Sequence, residues 1–202
     1  MNTTVAFLAQ TLAIFMGFFT RVVFTRTLSE GYVGINGLFT DILNILSLSE
    51  LGVGTAITYA LYAPIARRDI KKQQILMRMF RNFYRITAGF VLLAGLCLIP
   101  FLDILMKDRP DVNHLIIIYL LYLLNSVVSY LLIYKKTLVD AHQMNYITVM
   151  YHNGFLVLQD ILQIMVLFLT RNFILFLVIA VICTIIGNIC MSRRADRLFP
   201  YL

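Results

Sequence analysis

Thr4-Val5-Ala6-Phe7-Leu8-Ala9-Gln10-Thr11-Leu12-Ala13-Ile14-Phe15-Met16-Gly17-Phe18-Phe19-Thr20-Arg21-Val22-Val23-Phe24-Thr25-Arg26-Thr27 decides the fold class. About 20 mainly apolar residues suffice to cross the hydrocarbon core of a bilayer as a helix, and this run exceeds that. Arg21 and Arg26 interrupt it near one end. A cation at depth costs roughly 2.5–3.5 kcal/mol on insertion scales, so it faces a partner or a polar interior rather than lipid. One segment therefore predicts a membrane helix with a cationic inner face, and a protein that handles something anionic.

The rest of the chain agrees. Hydrophobic residues make up 60% of the 202 and charged ones 13%, with a mean hydropathy of +0.85; a soluble domain has about 45–50% apolar and about 25% charged residues. The expected fold class is all-α, a polytopic membrane protein of six transmembrane helices. Spans are expected at about 4–27, 35–62, 84–106, 114–134, 145–169 and 173–191, with an amphipathic cytoplasmic helix at about 66–83. No signal peptide is expected, because Met1-Asn2-Thr3-Thr4 lacks a basic start. Cys97, Cys183 and Cys190 lie in apolar runs without ligand spacing, so no disulfide framework, metal site or cofactor is expected.

The net charge of +7 follows topology. With the N-terminus inside, the cytoplasmic connections hold Arg67, Arg68, Lys71, Lys72, Arg78, Arg81 and Arg85, then Lys135 and Lys136, then Arg193, Arg194 and Arg197. The opposite side receives Lys107, Arg109 and Arg171. Such a bias sets orientation in membranes, so both termini are expected to be cytoplasmic. It also explains the basic excess through anionic membrane lipids, with no nucleic acid partner.

Polar residues fall in stripes, as the interior of a bundle requires. Gln10, Gly17 and Arg21 share one face of the first span. The second span is the most polar, with Asn36, Thr40, Asp41, Asn44, Ser47, Glu50 and Thr55. Asp41 and Glu50 lie about 13 Å apart along a helix axis, too far for a paired-carboxylate hydrolytic site. By depth Asp41 is the counter-ion of Arg21, either as a structural ion pair or beside a ligand, while Glu50 sits near the midplane with no partner in sight. The fourth span carries Tyr119, Tyr122, Asn125, Ser126, Ser129 and Tyr130, a pattern also given by plain helix packing. The fifth places His152, Asn153, Gln159, Asp160 and Gln163 together.

Thr20-Arg21 through Tyr32-Val33-Gly34-Ile35-Asn36-Gly37-Leu38-Phe39, then Leu46-Ser47-Leu48-Ser49-Glu50-Leu51-Gly52-Val53-Gly54-Thr55-Ala56-Ile57, resembles the bacterial polysaccharide-transport flippases. Asn125 to Tyr134 with Lys135-Lys136, and Ser192-Arg193-Arg194-Ala195-Asp196, are similar to their Gram-positive capsule branch. The resemblance implies two six-helix lobes in the cytoplasmic membrane, exchanging access around a cationic cavity. The implied substrate is an undecaprenyl-pyrophosphate-linked oligosaccharide, and polysaccharide polymerase machinery is an implied partner. Arg21, Arg26 and Asn125 would then contact the pyrophosphate, and Asp41, Glu50 and Asp160 would set cavity charge or bind a coupling ion. Those transporters run to roughly twice this length, so the chain is expected to be an N-terminal lobe that works with a C-terminal lobe or a second copy. Rival readings are a cation-coupled small-molecule extruder of the same superfamily and a non-transporting assembly subunit. An enzyme is not expected, since the cytoplasmic connections offer Asp69, Asp140 and Asp196 only singly.

Overall fold

The computed structural model describes residues 2–47, 53–102, 112 and 114–201. Glu50, Lys107 and Arg109 lie outside the described residues. Among the described residues the chain is helical, with no strand. The helices are α1 (Asn2–Thr27), α2 (Glu30–Ser47), α3 (Val53–Ala66), α4 (Ile70–Leu98, followed by a 3-10 turn, Ile99–Phe101), α5 (Leu115–Leu131), α6 (Ile133–Ala141), α7 (Asn145–Thr170) and α8 (Phe173–Leu198). Four of them, α1, α4, α7 and α8, are long and apolar enough to cross a membrane; a fifth candidate is the α5–α6 pair, bent by 42°.

Four features depart from the sequence reading. The stretch expected as one span over 35–62 consists of α2 and α3 on either side of residues 48–52. The amphipathic helix at 66–83 and the span at 84–106 are one helix, α4, capped at its start by the Asp69 carboxylate, which accepts from the Lys72 amide at 3.0 Å. No backbone feature divides it: composition changes near Arg85, but the i to i−4 hydrogen bonds do not depend on side-chain polarity. The fourth span bends at Leu132, and α8 continues to Leu198 rather than ending near 191. By contrast α1 and α7 match their expected spans closely. Between α7 and α8, Arg171 takes a left-handed conformation (φ 50°), and Asn172 caps α8 by accepting from the Ile174 and Leu175 amides.

Interhelical contacts fix the helix directions. Gln10 bonds to Asn153, and Gly17 faces Asp160, so α1 and α7 lie side by side and run parallel. Gln163 donates to the Phe176 carbonyl while Gly187 packs on Phe155, so α7 and α8 are antiparallel. Tyr119 of α5 donates to the Gly95 carbonyl of α4 at 2.8 Å. Lys135, just past α5, shares a cavity with Arg78 and Arg81 of α4, so α4 and α5 are also antiparallel. The α2–α3 segment follows α4 in reverse. Phe39 meets Tyr119 edge-to-face beside Gly95, Gly54 lies against Tyr84, and the Pro64 carbonyl accepts from Gln73.

The core is aromatic and aliphatic, centred on Phe39, Leu61, Val91, Ile118, Tyr119, Leu123, Leu138 and Leu167. Large apolar side chains that remain exposed, such as Phe7, Phe18, Ile86, Leu93, Phe168 and Leu169, lie on the spanning candidates. That is the inverse of a water-soluble surface and suits a hydrocarbon solvent.

Candidate functional site

Arg21 and Arg26 occupy the last two turns of α1, and both are exposed. The Arg21 guanidinium lies 5.8 Å from the Phe24 ring centroid, within the range of a cation–π contact. Phe24 itself is buried, with its ring 5.5 Å from Phe173 and 5.3 Å from Phe176 at the start of α8. Next to this aromatic floor, the Tyr122 hydroxyl bonds to the Asn36 side-chain oxygen, and Arg21 is near enough to act on Tyr122 electrostatically. The first turns of α2 and the middle of α5 thus meet the end of α1 around one arginine.

Arg21 and Asp41 do not form an ion pair; among the described residues the ion pair is Lys135–Asp196. The matched depth was a poor guide because α2 leaves α1 at once. It buries Ile35, Phe39, Ile42 and Leu43 in the core alongside α4 and α5, and that rotation leaves Asp41 exposed.

The polar face expected on α7 serves two purposes. Asn153, which is 1% exposed, donates to the Gln10 side-chain oxygen at 2.8 Å. About two turns further on, Asp160 packs where Gly17 leaves room, 4.0 Å from the position a Cβ would take, and contacts Thr20. These groups form a polar seam between α1 and α7. Gln163 is also spent on helix packing, through Phe176.

His152 and Gln159 instead face a cavity of about 270 Å3 enclosed by α5, α6, α7 and α8. Asn125, Ser129, Lys136, Thr184 and Asn188 supply its other polar groups. Asn188 spends its amide on the Val128 carbonyl at 3.1 Å, but the Asn125 side-chain oxygen is buried without a hydrogen-bond partner. An unpaired buried acceptor costs about 1–3 kcal/mol, and this one belongs to a residue that lines the polar cavity. The cavity thus combines one cation with several amide, hydroxyl and imidazole groups. Its cation, Lys136, counts in the sequence among the cytoplasmic basic residues; it lies beyond the bend at Leu132, so helical spacing from Asn125 and Ser129 does not by itself place it in the cavity.

The structure thus separates the sequence candidates. Arg21 and Arg26 stand at one end of the bundle, Asn125 lines the cavity, Asp160 lies in the α1–α7 seam and Asp41 is exposed. Comparisons with protein-family models, with curated proteins and with solved structures find no match to this chain.

Proposed function

We propose that the chain is the N-terminal lobe of a lipid-linked oligosaccharide flippase of the bacterial cytoplasmic membrane. The lobe would act with a C-terminal lobe or a second copy to move an undecaprenyl-pyrophosphate-linked repeat unit outward. Arg21 is the observation that carries this reading. It sits in a spanning candidate, its guanidinium rests on an aromatic ring, and no carboxylate among the described residues neutralises it. A fixed cation left free in a membrane helix is suited to an anionic substrate, and the planar guanidinium fork matches phosphate oxygens in two-point contact. The polar cavity with Asn125 and Lys136 adds hydroxyl- and phosphate-compatible groups deeper in the bundle.

Helix direction supports six crossings. α1 and α7 run parallel, so an odd number of crossings separates them. α4 and the α5–α6 pair supply two, and the α2–α3 segment, running antiparallel to α4, supplies the third. The basic starts and ends of α4, α6 and α8 gather at one end of the bundle, which on the positive-inside bias is cytoplasmic. Both termini then lie inside, and substrate exchange takes the form of one lobe rocking against another around the site.

The test is complementation of a repeat-unit flippase deletion, scoring surface polymer and the lipid-linked precursor accumulated inside. The chain is expressed alone and as a C-terminally extended form. Export is expected from at least one form, and Arg21→Ala in that form is expected to lower it by about tenfold or more, the value of one charge-assisted phosphate contact. Arg21→Lys should recover only part, since a point charge replaces a fork. Failure of both forms, or export indifferent to Arg21→Ala, would end the proposal.

Asp160 favours a second reading. A carboxylate in a spanning candidate is a proton or cation relay by default, and Asp160 lies between α1 and α7. A cation-coupled extruder of small molecules would depend on Asp160 and tolerate Arg21→Ala. Efflux of a cationic dye by wild type, Asp160→Asn and Arg21→Ala separates the two readings.

A further inference from the structure

The exposed surface of α4 divides into stripes of different chemistry. Gln73, Met77, Phe80, Tyr84, Ala88 and Val91 are buried against the bundle. Ile75, Met79, Phe83, Ile86, Phe90 and Leu93 form an exposed apolar stripe. Lys71, Gln74, Arg78, Arg81 and Arg85 recur at spacings of three and four between these two arcs. At 3.6 residues per turn the three sets do not overlap.

The cationic stripe leads into a cavity of about 420 Å3 formed by Gln74, Arg78 and Arg81 of α4, Lys135 of α6 and Asp196 of α8. Lys135 is held in place by both Asp196 carboxylate oxygens at 2.7 Å, and its side chain is 16% exposed. Arg78, Arg81 and Lys135 against one Asp196 leave a formal excess of two positive charges. Gln74 is positioned through its bond to the Tyr201 carbonyl. The decisive atom is Arg81 Nε, which is buried and has no hydrogen-bond partner. A guanidinium left one hydrogen bond short at the wall of a cationic cavity favours an acceptor there.

We propose that this cavity is a binding site for the phosphate of an anionic phospholipid headgroup in the leaflet that faces the start of α4. The source is a lipid rather than free phosphate because the exposed apolar stripe runs alongside: Ile75, Met79 and Phe83 border Arg78 and Arg81 and continue through Ile86, Phe90 and Leu93. Acyl chains lie along that stripe while the phosphate enters the cavity. Arg78 and Arg81 stand about one to two turns before Ile86, beyond which the helix carries no charge. The occupied site ties α4, α6 and α8 together at one end of the bundle, in a way that does not depend on which substrate the protein moves. It rests only on the chain being embedded in a membrane.

Native mass spectrometry of the full chain, purified in detergent, tests this with three probes: phosphatidylglycerol, phosphatidylcholine and inorganic phosphate. One phosphatidylglycerol is expected to stay bound under activation that strips phosphatidylcholine. Millimolar inorganic phosphate is expected not to displace it. Arg81→Gln should weaken phosphatidylglycerol binding by about tenfold, the loss of one charge-assisted contact. Arg78→Gln, at an exposed position, should weaken it about threefold, and Arg193→Gln, outside the cavity, should have no effect. Circular dichroism checks that the variants stay helical, and Arg78→Gln alone decides the matter if Arg81→Gln does not fold. Equal retention of the two lipids, or unchanged binding in a folded Arg81→Gln or Arg78→Gln, would overturn the proposal. Displacement by inorganic phosphate would also overturn it, replacing the lipid with a soluble anion.

Discussion

Gln10 and Asn153 are both amides in spanning candidates, and each alone would be an expensive group to place in a membrane. Their bond at 2.8 Å satisfies one donor and one acceptor across the α1–α7 contact and sets the register of the two helices. Interhelical hydrogen bonds of this kind contribute about 0.6 kcal/mol on average and up to about 1.7 kcal/mol in membranes. Asn153 is 1% exposed, so Asn153→Ala should fall at the upper end, with the lost packing added. Asn153→Leu should lower thermal stability in detergent, and the double variant Gln10→Leu with Asn153→Leu should recover part of it, because no orphaned amide remains. A double variant no better than the worse single one would mean that the pair packs by shape alone. Residue types were legible here from the sequence, since the amides stand out in apolar runs. Partners were not. Depth along the axis suggested Arg21 with Asp41, but rotation about the α2 axis decides the contact, and that rotation comes from which face of α2 carries Ile35, Phe39, Ile42 and Leu43.

At the scale of the element, α4 is the helix against which α2, α3, α5 and α6 are packed. Its close approach to α5 depends on Gly95. A Cβ there would stand 2.3 Å from Leu123 Cδ1 and 3.2 Å from Leu123 Cγ, beside the Tyr119 bond to the Gly95 carbonyl. Leu123 is 1% exposed and has little room to retreat. Gly95→Ala should therefore destabilise the bundle by about 1–3 kcal/mol, the usual cost of overpacking, visible as a lower unfolding temperature in detergent. Leu123→Ala in that background should return part of the loss. The same change at Gly89, where a Cβ meets nothing within 4 Å, should be neutral or mildly stabilising. Side-chain caps at Asp69 and Asn172 fix the helix starts, the first of them, at Ile70, four residues beyond the start expected near 66. The sequence separates α4 into two helices because hydropathy changes near Arg85, yet nothing in residues 70–98 interrupts backbone hydrogen bonding. Polarity locates a helix relative to the membrane, whereas only capping, proline or a backbone break locates its ends.

For the whole molecule, the question is whether the α2–α3 segment crosses the membrane. Composition suggested a crossing from about 35 to 62, but neither α2 nor α3 is individually a spanning candidate. Direction is the stronger argument, because it is independent of hydropathy. α1 and α7 are parallel and in contact, so they enter from the same side. If α2–α3 merely returned to the surface it left, α4 and α5–α6 would be the two crossings between them, and α1 and α7 would have to be antiparallel. Membrane-impermeant maleimide labelling of single cysteines, in a background with Cys97, Cys183 and Cys190 replaced, makes this measurable. Ser29→Cys and Thr170→Cys should be modified from one side, Arg67→Cys and Asn145→Cys only from the other. Ser29 and Arg67 flank α2–α3 directly, so modification of both from the same side would remove that crossing whatever the remaining positions do. The polarity of α2–α3 then has a direct cause. With Phe39 and Leu61 wholly buried and Gly54 against Tyr84, the segment runs among α4, α5 and α6 rather than alone in lipid. A crossing enclosed by protein need not be apolar on every side.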